Sequence, residues 1–114
     1  MVIYGIKNCD TVKKALRSLD SKNLNYEFHD FKKLPPTKNL INKWLKTIDW
    51  QTLVNQRGLT WRRLPEEIKQ ATTNKVKAIE LMLANPSIIK RPILENGDKI
   101  IVGYDEQVYN SLHG

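Results

Sequence analysis

Near its start the chain changes its apolar period once, from that of a strand to that of a helix. Val2-Ile3-Tyr4-Gly5-Ile6 is a short β-branched and apolar run bounded by polar residues, as in a buried strand. Val12, Ala15, Leu16 and Leu19 then recur at the i, i+3, i+4, i+7 spacing of an amphipathic helix, with Asp10 or Thr11 as a suitable N-cap. The chain's single cysteine, Cys9, falls in the polar turn between them. Tyr26 and Phe28 alternate with Glu27 and His29, which gives a second strand over residues 25–31. Strand, helix, strand implies a right-handed parallel unit.

Pro35-Pro36 breaks this pattern, and Thr37 can cap a helix whose Leu40, Ile41, Trp44, Leu45 and Ile48 share one face. A short helical stretch from Trp50 to Val54 leads into the loop Asn55-Gln56-Arg57-Gly58, and a further helix runs from Lys75 to Leu83 until Asn85-Pro86 stops it. Two apolar runs, Ile88 to Leu94 and Lys99 to Gly103, flank an Asn96-Gly97 turn and predict a hairpin. Asp105 to Leu112 closes the chain as a helix with Val108 and Leu112 facing inward. The order β-α-β, helical insert, β-β-α is that of a thioredoxin-like α/β fold, a three-layer α/β/α arrangement with a helical subdomain. A length of 114 residues with 40% hydrophobic content suits one domain over 1–114, with the insert at about 35–87. No apolar stretch is long enough to span a bilayer and no leader pattern opens the chain, so a soluble, cytoplasmic protein is expected.

A lone cysteine excludes an internal disulfide framework. His29 and His113 are far from Cys9 in sequence, no zinc-type spacing occurs, and no metal is expected. The net charge of +7 allows an anionic ligand, but the cations are interleaved with Asp and Glu and run only in pairs, so nucleic acid is not an expected partner. Cys9 has two readings. At a helix start, unpaired N–H groups and the helix dipole stabilise thiolate over thiol, with Lys7 and Lys13 adding to this and Asp10 opposing it. Alternatively Cys9 is a small buried hydrophobe. A dithiol motif would place its second cysteine where Val12 stands, so a disulfide at Cys9 needs an external thiol to open it. Pro92, after Arg91, is either a cis-proline beside the thiol loop or a trans turn proline, the commoner state. Arg57 is either a solvated charge or a planar donor for an oxyanion or carboxylate.

The segments Tyr4-Gly5-Ile6-Lys7-Asn8-Cys9-Asp10-Thr11-Val12-Lys13-Lys14-Ala15, Asn55-Gln56-Arg57-Gly58-Leu59-Thr60-Trp61-Arg62-Arg63-Leu64 and Ile89-Lys90-Arg91-Pro92-Ile93 together resemble the ArsC/YffB/Spx family of arsenate-reductase-like proteins, and within it the YffB-like branch. The resemblance implies a thioredoxin-like fold with Cys9 as nucleophile, Arg91 and Arg57 as anion ligands and Pro92 as a cis-proline. It puts Lys13 where the arsenate enzymes carry an arginine, and Gly103 where they carry a third one, which argues against arsenate as the natural substrate. It implies a glutathione-dependent thiol-disulfide oxidoreductase with no bound cofactor. Glutathione would be the co-substrate, held through its carboxylates by Arg91 and Lys7, and either glutathione or a glutaredoxin would be the thiol donor to a monomeric protein. The alternatives are a glutaredoxin-dependent arsenate reductase and a regulator of the Spx branch, whose members bind RNA polymerase and often carry a Cys-x-x-Cys switch absent here.

Overall fold

The fold is that of a computed structural model, which describes residues 1–113. Four strands, β1 (Val2–Gly5), β2 (Glu27–Asp30), β3 (Ile93–Asn96) and β4 (Lys99–Val102), form one mixed sheet in the order β2-β1-β3-β4. β1 and β2 are parallel and joined through α1 (Asp10–Ser21), while β3 pairs antiparallel with both β1 and β4. Gly97, at φ +63°, makes the tight turn of the β3–β4 hairpin in a conformation that costs glycine nothing. After β4 comes a last helix, Glu106–Asn110. The chain forms two compact units, one of residues 1–34 with the segment from Arg91 onward, the other Pro35–Lys90.

In the sheet unit, register aligns Phe28, Ile3, Leu94 and Ile101 across one face. Ile3 and Leu94 there join Ala15 and Leu19 of α1, and Tyr109 and Leu112 from the C-terminal segment, in a buried apolar cluster. The opposite face carries Tyr4, whose hydroxyl donates to Oε1 of the buried Glu95 at 3.2 Å. Burial, followed by the charge of Glu95, pushes the Tyr4 hydroxyl up to about 12. The Tyr4 ring meets His29 edge-on, and His29 Nε2 lies 3.3 Å from Glu27 Oε1.

The helical unit contains α2 (Lys38–Leu45), α3 (Trp50–Leu53), α4 (Leu59–Arg62), α5 (Glu66–Ala71) and α6 (Lys75–Ala84), followed by a 3-10 turn at Pro86–Ile88. The helix after α6, Glu106–Asn110, is therefore α7. The Thr37 hydroxyl accepts from Leu40 N–H and caps α2, and the Asn74 side chain accepts from Lys77 N–H and caps α6. α2 packs on α6, and Ile41, Trp44, Leu53, Met82 and Ile88 are buried.

Several elements differ from the sequence expectation. The second strand is only Glu27–Asp30, and Tyr26 instead hydrogen-bonds Asp20 Oδ1 at 2.8 Å. The run from Ile88 does not enter the hairpin: Ile89 forms a β-bridge with Val54 inside the helical unit, and β3 starts only after Pro92. In α7, Val108 is half-buried, and Tyr109 is the fully buried side chain.

Candidate active site

β1 ends at Gly5, where a Cβ would stand 2.8 Å from Val12 Cγ2. Glycine thus lets the first turn of α1 close against the strand end, which sets the span of the loop Ile6 to Cys9. Neither Asp10 nor Thr11 caps α1. Cys9 itself is the N-cap, extended at φ −108° and ψ 122°, and its carbonyl accepts from Lys13 N–H at 2.9 Å. Its half-buried side chain makes no capping hydrogen bond. The thiol therefore projects at a helix start, where the first-turn N–H groups have no intrahelical partner. Asp10 is the acidic residue of the same turn.

The Arg91–Pro92 peptide is cis. Ile93 pairs with Tyr4 in the antiparallel β1–β3 ladder, so continuing that register brings Pro92 abreast of Gly5 and Arg91 abreast of the start of the Cys9 loop. By that register Arg91 and Pro92 stand at the end of the sheet where β1 finishes and the loop to Cys9 begins. Lys13 is exposed on the first turn of α1, while Lys7 lines a cleft of about 370 Å³ with Phe28, His29 and Lys33. Pro92 O accepts from Gly103 N–H at 2.8 Å, and Gly103 is buried at φ +80°. Glycine at 103 has this backbone reason of its own, and an arginine there would be strained.

Arg57 stands in the helical unit, on a loop that Asn55 organises. Asn55 Oδ1 accepts from Arg57 N–H and Asn55 O from Gly58 N–H, both at 3.2 Å. Arg57 lines a polar pocket of about 510 Å³ with Gln51, Thr52, Asn55, Gln56 and Lys90. Lys90 is the cation that sequence reasoning missed. Its backbone N–H donates to Leu53 O at 2.9 Å beside the Val54–Ile89 bridge, a pairing between distant segments with no local pattern. Among the described residues no group of three or more His, Cys, Asp and Glu converges as a metal site, and no helix is long and apolar enough to cross a membrane.

Sheet order, cis-proline and a thiol at a helix start define a thioredoxin-like α/β protein with a single cysteine. The chain belongs to the ArsC family, whose model matches residues 4–112. It is similar to the solved YffB protein, with 45% identity, a TM-score of 0.92 and 96% of each chain covered. It is also similar to an arsenate reductase (ArsC) related protein from Brucella melitensis, with 43% identity, a TM-score of 0.78, and 97% of this chain and 94% of that one covered. A more distant likeness, 25% over 109 residues, covers 92% of this chain and 83% of the regulatory protein MgsR of Bacillus subtilis.

Proposed function

We propose that this protein is a glutathione-dependent thiol-disulfide oxidoreductase in which Cys9 is the nucleophile. The observation that supports the reading is the single cysteine at the N-cap of α1, on the loop that leaves β1 at the end of the sheet where the β1–β3 register brings in Arg91. Cys9 thiolate attacks a mixed disulfide of glutathione with another thiol. The new bond joins Cys9 to the glutathionyl sulfur, and the other thiol leaves as thiolate. A second glutathione, as thiolate, attacks that sulfur, releases Cys9 and departs as glutathione disulfide. Atoms and electrons balance, and no second protein thiol is needed, in keeping with the single cysteine.

Glutathione carries two carboxylates, and Arg91 and Lys7 are the donors proposed for them. Lys13 adds positive charge beside the sulfur, and Arg57 is included on the family resemblance. One charge-assisted contact contributes about 1.5–3 kcal/mol, so Arg91→Ala should lower kcat/KM for a glutathionylated substrate by roughly ten- to a hundredfold. Cys9→Ser should abolish turnover. Equal turnover by wild type and Cys9→Ser would end the proposal. The likeness to the regulatory protein MgsR favours a second reading, a regulator without chemistry at Cys9, for which the resemblance to the Spx branch suggests RNA polymerase as the partner. Under that reading Cys9→Ser leaves RNA polymerase binding intact and no thiol turnover is measured.

A further inference from the structure

The charge of this chain is not spread evenly over its two units. The helical unit carries ten Lys or Arg against four Asp or Glu, and the sheet unit nine against eight. Exposed apolar surface is concentrated in the same place: of the large hydrophobic side chains exposed among the described residues, Leu59, Ile68, Val76 and Leu83 belong to the helical unit. α6 is apolar around most of its circumference, and such a helix is ordinarily covered on every side. Here α5 and α6 instead wall an open cavity of about 320 Å³, in which Leu64, Ile68, Ala71, Leu81 and Ala84 supply the apolar lining and Lys77 and Glu80 are polar members.

We infer that the groove between α5 and α6 docks an acidic amphipathic segment of another protein, with apolar side chains in the groove and carboxylates toward the excess cations of α4 to α6. The charges from α4 to α6 decide the occupant. Lys69 with Glu66, at 3.8 Å, and Lys77 with Glu80, at 3.6 Å, neutralise one another. Arg62, Arg63 and Lys75 are left against Glu67, all of them exposed. A second copy would bring the same excess of cations to the contact and be repelled, whereas an acidic segment is attracted and steered. Recognition of an amphipathic helix by an apolar groove uses anchors at i, i+3, i+4 and i+7, and an apolar lining supplied by two helices suits it.

The test uses the full chain and a synthetic helix of about sixteen residues with Leu at those anchor positions and Glu elsewhere, beside a control peptide with Lys for Glu. The acidic peptide should bind with amide shift changes over Leu64 to Ala84, and binding should weaken as salt is raised. Ile68→Asp should weaken it about tenfold or more, and the double variant Arg62→Glu with Arg63→Glu about tenfold. All three side chains are exposed, so the variants keep the core. Equal binding of the basic peptide, shift changes confined to other elements, or unchanged affinity in both variants would overturn the inference. So would a concentration-dependent dimer that Ile68→Asp abolishes, since the groove would then be a self-contact.

Discussion

Tyr4 and Gly103 show how a single residue carries part of the fold. Burial and Glu95 raise Tyr4 to about 12 in the folded chain from an ordinary 10.0, so between these values the folded state keeps a proton that the unfolded state has lost. Its contribution to stability is whole below pH 10 and disappears as pH rises through about 12. Urea midpoints across that window should fall in the wild type and fall less steeply in Tyr4→Phe. Tyr26 and Tyr109 are raised in the same direction, so part of the decline remains. The Tyr109 hydroxyl is buried without a hydrogen-bond partner, and Tyr109→Phe should leave the unfolding free energy unchanged or raise it, by up to about 1–3 kcal/mol of relieved desolvation, as read in chemical denaturation. Gly103→Arg meets a backbone at φ +80° in a buried position. It should cost at least about 1–2 kcal/mol in chemical denaturation and should not install arsenate turnover. A stable Gly103→Arg protein that reduces arsenate would show that only the missing guanidinium mattered.

Elements are placed by close approaches that short-range patterns do not reveal. Gly5→Ala puts a methyl group into Val12 and should destabilise by about 1–3 kcal/mol, and adding Val12→Ala should return part of the loss in a double-mutant cycle. Simple additivity of the two changes would mean that their contact does not set the loop. β1, α1, α2, α3, α6 and the hairpin were legible because each has a clear apolar period or a strong turn or cap signal. α4 and α5 were not, since neither buries a residue fully and so neither has a periodic core face. The first strand of the hairpin was placed too early because Ile88 and Ile89 are as apolar as a strand requires. Their destination, beside residues 53–55, depends on a segment more than thirty positions away.

At the scale of the whole molecule, the chemistry-bearing positions were more legible than their arrangement. Cys9 announced itself by its place between two periods, but its role as the N-cap follows from how closely α1 meets β1 at Gly5. Arg91 and Pro92 gain meaning through the β1–β3 register, a pairing of the two ends of the chain. Charge read along the sequence looks interleaved; divided at the boundaries of the two units it is strongly one-sided, which only the fold could reveal. The most direct measurement is the intact mass of the protein after exposure to oxidised glutathione and again after addition of reduced glutathione. A gain of one glutathionyl group, mapped to Cys9 and removed by reduced glutathione, with slower gain in Arg91→Ala but no slowing with an uncharged disulfide, is the predicted result. An unchanged mass in oxidised glutathione, while a small uncharged disulfide modifies Cys9 readily, would contradict it.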